Sequence, residues 1–276
     1  MRYIFLLLVS ITFLSSTFAQ GKGEWFPSDL NIQPFTANFI EPRAGFSYIP
    51  SRRDIELDIG TSSDIYHYTN NDYVLSFGAD LFTYTRLRGE SNFFFPVDAV
   101  DYLFGVNAGY KVTGPSNDEY GVRFRLSHIS AHFVDGHFDG ILNQWRNGRK
   151  PQVYSREFIE LFPFYKINTF RGYLGLTYIF HVTPKDIGKG IYLAGFDYYF
   201  NSLISKNVSP YIAYGFKLDN IGAYFGNNII SAGIKFGRYD AKGFSINFNY
   251  FSGKSIHGEY YDVTENYTTI GVNLDL

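Results

Sequence analysis

The sequence predicts an all-β protein, an outer-membrane antiparallel β-barrel of about twelve strands, and three observations carry that prediction. Apolar and polar residues alternate with period two in nearly every segment beyond residue 40, the pattern of strands with two differently solvated faces. The alternating segments are even in number and recur about every 20 residues, wider than the roughly 8–12 of a β-sandwich and suited to long, tilted strands. The chain also opens on an export signal: Arg2, an apolar run from Phe5 to Leu14, and Thr17-Phe18-Ala19 as a small-residue exit.

In order along the chain, residues 1–20 read as that signal peptide, cut after Ala19 or Gln20. Residues 21–42, with Pro27, Pro34 and Pro42, read as an irregular periplasmic lead-in, and 43–276 as the barrel. Candidate strands fall near 43–49, 54–61, 73–87, 100–112, 119–133, 153–167, 171–183, 190–201, 208–218, 228–238, 242–252 and 265–276. The last is the clearest, with Ile270, Val272 and Leu274 alternating with Gly271, Asn273 and Asp275. In the segment 171–183, Leu174, Leu176, Tyr178 and Phe180 form the apolar face, and Gly175, Thr177 and His181 the polar one. Gly, Ser, Asn, Thr, Asp and Lys on the polar faces suit a wet or tightly filled lumen, and the aromatic and aliphatic faces suit lipid. With the last strand ending in the periplasm, connections 113–118, 168–171, 202–207 and 238–242 lie inside. The longer set, 89–99, 134–152, 184–190, 219–227 and 253–264, lies outside.

Composition agrees. Aromatics make up 20% of the chain, with 29 Phe and 24 Tyr against a single Met, a balance that favours strands over helices. Cysteine is absent, so stability comes from backbone pairing and packing rather than from disulfides. A net charge of −2 gives no electrostatic case for nucleic acid. The lumen positions Asp80, Lys111, Arg123, Arg125, Arg156, Asp197, Lys217 and Lys235 carry both signs, which points to a lumen filled by ion pairs before it points to a selective channel.

The most informative segment is Arg123–Phe133. As a strand it places Phe124, Leu126, His128, Ser130 and His132 on one face and Arg123, Arg125 and Ser127 on the other. A cation facing lipid near the midplane costs about 2–4 kcal/mol, so the arginines point into the lumen. His128, Ser130 and His132 then face the membrane at outer-leaflet depth. Polar groups there need hydrogen-bond partners or a purpose. Histidine and serine two apart on one face lie ~7 Å apart between Cα atoms, close enough for a Ser–His hydrogen bond after side-chain adjustment. On the adjacent strand Glu157 shares a face with Ile159 and Leu161, whereas Glu160 shares one with Arg156 and Lys166. His128, His132, Asp135, His137 and Asp139 also contain metal-ligand types near an external loop. Strand spacing sets His128 and His132 ~13 Å apart, too far for one ion without a bulge.

Two resemblances bear on this segment. His128-Ile129-Ser130 resembles the H-x-S pair of the lipid A 3-O-deacylase family, outer-membrane barrels with a serine nucleophile and histidine base on the lipid-facing wall. The resemblance implies Ser130 as nucleophile and His128 as base. This chain has Ala131 where that family has asparagine and Leu142 where it has its glutamate. The family's barrel is also smaller, with eight strands. The acid here therefore has to come from the neighbouring strand, as Glu157. More widely, Phe26-Pro27, Ala37-Asn-Phe-Ile-Glu-Pro-Arg43, Arg125-Leu-Ser-His-Ile-Ser-Ala-His132 with Asp135, and Tyr154-Ser-Arg-Glu157 resemble an uncharacterised Gram-negative envelope family, a domain of unknown function. That resemblance implies location and fold but no activity.

The expectation is an integral protein of the bacterial outer membrane, with outer-membrane lipids or lipopolysaccharide as partners and no cofactor or metal. A non-enzymatic structural or small-channel role comes first, with His128, Ser130 and His132 bonded to neighbouring strands or to Tyr154 and Ser155. The alternative is a lipid-facing acyl esterase using Ser130, His128 and Glu157.

Overall fold

The computed structural model describes residues 21–201, 203–205 and 207–275; the expected signal peptide, residues 1–20, lies outside them. Period-two alternation becomes strand throughout: β1 (Lys22–Trp25), β2 (Ala44–Ile49), β3 (Asp54–Thr69), β4 (Tyr73–Leu87), β5 (Val97–Thr113), β6 (Glu119–Phe133), β7 (Phe138–Asp139), β8 (Gln144–Trp145), β9 (Tyr154–Ile167), β10 (Phe170–Thr183), β11 (Gly190–Tyr199), β12 (Val208–Ile221), β13 (Ala223–Phe236), β14 (Gly243–Lys254) and β15 (Thr264–Asp275). Twelve of these, β2–β6 and β9–β15, pair antiparallel with their neighbours, and β2 joins β15 to β3 to close the ring. Closure is through the short β2, which pairs β3 over Asp54–Asp58 and β15 over Ile270–Leu274. β1 adds to the far end of β3, Lys22 opposite Thr69, and β7 and β8 form a small hairpin inside one connection.

The end bearing the longest connection, 134–153, is taken as the upper end. Its other connections are 50–53, 88–96, 184–189, 255–263 and the single residue Gly222; the lower ones are 70–72, 114–118, 168–169, 200–207 and 237–242. One expected connection is corrected. The loop read over 219–227 does not exist, because β12 and β13 run on to Ile221 and Ala223 and turn at Gly222 alone. Gly222 has φ +67°, a left-handed conformation that glycine adopts without strain. Polar residues such as Asn227 hid the strand ends; Asn227 is buried inside the barrel and bonded to Asp219, the Lys217 carbonyl and the Lys254 amide rather than marking a turn.

Alternate side chains sort as the pattern requires. Phe77, Leu81, Phe104, Leu126, Leu174 and Ile270 are exposed on the outer wall, while Asp80, Arg123, Arg125, Arg156, Asp197 and Lys235 are buried inside. Arg125 is 1% exposed and meets Asp80 at 3.1 Å, Glu41 at 3.1 Å and Glu160 at 3.2 Å. Such buried charges are tolerable only when paired and hydrogen-bonded in this way.

Of the residues read as an irregular lead-in, 22–25 are instead the exposed strand β1 paired with β3, and 31–42 occupy the interior. Phe35 is fully buried, 5.0 Å from the Phe162 ring and 4.4 Å from that of Tyr173, with the Arg123 and Arg171 guanidiniums over its face at 4.7 and 4.6 Å. Glu41 receives both Arg123 and Arg125, and backbone amides of Asn31 and Thr36 donate to Asp64 and Asp197. Beneath this plug a cavity of about 320 Å³ opens between the lower connections. Above it the 255–263 connection folds inward: His257 Nδ1 meets Asp101 at 2.9 Å, and the Tyr260 hydroxyl donates to Asp98.

Candidate functional site on the outer wall

Register across four strands builds one polar patch on the apolar wall. Phe104 on β5, His128 on β6, Glu157 on β9 and His181 on β10 lie side by side, and the next row up holds Tyr102, Ser130, Ser155 and Thr183. Directly opposed side chains in such a ladder lie about 4.5–5.5 Å apart at Cβ, within contact range. His128 Nδ1 meets Glu157 Oε1 at 2.6 Å, and the Ser155 hydroxyl donates to the same oxygen at 3.2 Å. His181 Nδ1 takes the other oxygen, Oε2, at 2.5 Å. The His128 ring lies 4.8 Å from that of Phe104 at an interplanar angle of 36°. The His128 and Glu157 side chains are 26% and 28% exposed, half-buried groups that a ligand on the wall can reach.

The chemistry follows from which nitrogen is held. An ionised Glu157 accepts Nδ1–H and fixes the tautomer that leaves a lone pair on His128 Nε2. That nitrogen has no hydrogen-bond partner among the described residues, so it is free to take a proton. Ser130 is half-buried on the same face, two residues further up β6. No hydrogen bond joins Ser130 to His128 in this arrangement; catalytic hydrogen bonds of this kind often tighten only when substrate is bound.

Each residue singled out in the sequence has a definite place. His128, Ser130 and Glu157 come together on the outer wall, and Glu160 lies inside on Arg125 and Thr177. His132 is exposed above them, its ring 6.1 Å from that of Tyr102. The metal-ligand types disperse. His137 is fully buried in the upper loop, bonded to Asp98 at 2.9 Å and stacked on Phe133 at 3.7 Å, while Asp139 pairs with Arg146 at 3.1 Å. Among the described residues no group of three or more His, Asp or Glu side chains is placed to hold a metal ion.

His181 is the member that the sequence did not yield. Strict alternation puts it on the lumen face opposite Phe180. The register shifts between Ile179 and His181, and this bulge turns both Phe180 and His181 outward. Alternation is blind to one inserted residue; the only signal was an imidazole at the end of a strand neighbouring Glu157.

A closed barrel with a hydrogen-bonded polar cluster on its apolar wall defines an outer-membrane-type barrel protein. Solved structures of that class are similar to it in fold. The outer membrane phospholipase A of Escherichia coli superposes with a TM-score of 0.53 at 11% identity, over 89% of this chain and 94% of that one. The outer membrane phospholipase dimer of Salmonella typhi with bound calcium gives the same TM-score, identity and coverage. At that identity the likeness is one of fold. No curated protein matches the sequence. Residues 99–276 match the model of the family described as "Protein of unknown function (DUF1207)", and the chain belongs to that family.

Proposed function

We propose that the protein is an acyl-ester hydrolase of the bacterial outer membrane, acting on lipid in the outer leaflet. The observation that carries this is the His128–Glu157 hydrogen bond on the outer wall, which leaves Nε2 free on the same face as Ser130. The resemblance in fold to proteins named as outer membrane phospholipases supports the same reading. In this scheme the Ser130 hydroxyl oxygen attacks the ester carbonyl while its proton passes to His128 Nε2. The C–O bond to the alcohol then breaks, and the alcohol leaves with that proton, giving an acyl-serine. Water attacks next, His128 again carrying the proton, and the fatty acid departs as Ser130 is restored. Glu157 stabilises the imidazolium formed in each half.

The interior offers little for the small-channel alternative. Residues 31–43 fill it, and Glu41, Arg123 and Arg125 lock them to β6. A purely structural cluster is favoured by one observation, the engagement of both Glu157 oxygens, which ties β6, β9 and β10 together. Fatty acid release from mixed micelles of phospholipid and of lipid A separates the two readings. Wild-type protein is expected to release fatty acid from one of them. Ser130→Ala is expected to fold equally well and to lose at least about 10³-fold in rate, in line with the loss of a nucleophile elsewhere. Release that is equal in wild type and variant, or absent in both, leaves the structural role.

A further inference from the structure

Strand β9 carries a buried guanidinium to which no lumen carboxylate bonds, Asp219 and Glu160 acting on it only at longer range. Arg156, in the Tyr154-Ser-Arg-Glu157 motif, is 8% exposed and points inward, opposite to Glu157. Among the described residues it makes no hydrogen bond and no ion pair, and its buried Nε donates to nothing. Its guanidinium lies over the uncharged Phe158 ring, 5.4 Å from the centroid. The other buried arginines are treated differently: Arg123 has Glu41, and Arg125 has Glu41, Asp80 and Glu160. A guanidinium cannot escape burial by losing its proton, and an uncompensated buried ion costs several kcal/mol.

Arg156 borders a cavity of about 40 Å³ below the 184–189 and 255–263 connections, floored by Asn38, Phe39 and Ile40 of the plug. Lys217 and Lys254 line it as well, against one carboxylate, Asp219. That carboxylate is already engaged by Lys217 at 3.1 Å and by the Asn227 amide at 2.8 Å. Glu160, the acid nearest along β9, is held by Arg125 and Thr177. Lys254 donates to the Asp262 carbonyl, which does not offset its charge. The lining therefore keeps a positive excess. Its volume suits a few waters at roughly 10–15 Å³ each, or one small ion. Water would solvate the guanidinium without neutralising it, and a phosphodiester with its substituents is too large.

We infer that this cavity is a binding site for a small monovalent inorganic anion of halide size, with Arg156 as its main ligand and Lys217 and Lys254 supplying the favourable potential. Two measurements on the full-length folded barrel in detergent test it. Crystals grown with sodium bromide should show an anomalous peak against the Arg156 guanidinium. The melting temperature should be higher in sodium chloride than in sodium gluconate at equal ionic strength, since gluconate is too large to enter. Arg156→Met should abolish both effects, and Lys217→Met should reduce the chloride shift without removing the peak. The site is overturned if wild-type crystals show no peak there. It is equally overturned by a peak with no chloride-dependent stability, which would mean binding at crystal concentration only. Both wild-type readouts stand even if Arg156→Met fails to fold.

Discussion

The two faces of β6 use the same chemistry to opposite ends. Inside, Arg123 and Arg125 are buried and their charges are met by Glu41, Asp80 and Glu160, so the network joins the plug to the wall. Outside, one residue step away, His128 meets Glu157 in a pair that is about a quarter exposed and surrounded by Phe104, Leu126 and Ile159. The inner network explains itself, because a plug must be held and buried charges must be paired. The outer pair holds no plug and would be simpler as two more apolar residues facing lipid. Polarity that the fold does not need is where function should be sought. Substitutions on the two faces should accordingly separate, those outside changing activity and those inside changing stability.

The largest expected effect is on the outer face. Glu157→Gln keeps the shape but can stabilise the wrong imidazole tautomer and no longer balances the imidazolium. By analogy with other triads the rate should fall by about 10²–10⁴-fold with little change in denaturant midpoint. A loss of stability with unchanged rate per folded molecule would move Glu157 into the structural class. Next is the inner face. Glu41→Ala strips Arg123 of its carboxylate and Arg125 of one of three. Breaking a buried pair in this way costs about 3–5 kcal/mol, read as a lower urea midpoint and as release of residues 31–43 to protease. Activity in the fraction that remains folded should persist.

How far the two faces were legible in the sequence follows from the same contrast. Strand existence and lumen assignment were readable because a one-residue slip would send Arg125 into lipid, so the pattern is enforced by several kcal/mol at each site. The grouping of His128, Ser130 and Glu157 was readable because consecutive strands of a meander are neighbours. The course of residues 31–43 through the barrel was not: their anchors are single residues, Phe35 and Glu41, whose partners lie on distant strands. His181 was hidden by a bulge. That no carboxylate bonds Arg156 could not be seen until every neighbour's partner was known.

The upper cap gives a smaller, pH-dependent effect. Burial works against charge on His257, yet the hydrogen bond and charge of Asp101, together with Glu56, outweigh it and the opposing Arg86, raising its pKa above the ordinary 6.5. A raised pKa means that the folded state prefers the protonated ring. The stability it contributes is full below pH 6.5 and is lost as pH rises through the folded value. Wild-type protein should therefore unfold at lower urea as pH goes from 6 to 9, and His257→Gln should flatten that slope. A slope identical in the variant would assign the pH dependence to other groups.

The smallest effect should come from His181, and it tests which imidazole does the work. Both rings hold Glu157, one oxygen each, but they differ in their relation to the serine. His128 is on the serine's own strand, one step along the same face, whereas His181 is two strands away and 66% exposed. An exposed charge-assisted hydrogen bond contributes on the order of 0.5–1 kcal/mol, so His181→Asn should lower the rate only a few-fold, by loosening Glu157. His128→Asn should reduce it as far as Ser130→Ala does. The reverse order, a silent His128 and an essential His181, would place the proton transfer on β10. Ser130 would then be too far from its base, and the nucleophile would have to be sought at Ser155 or Thr183, which lie in the row beside His181.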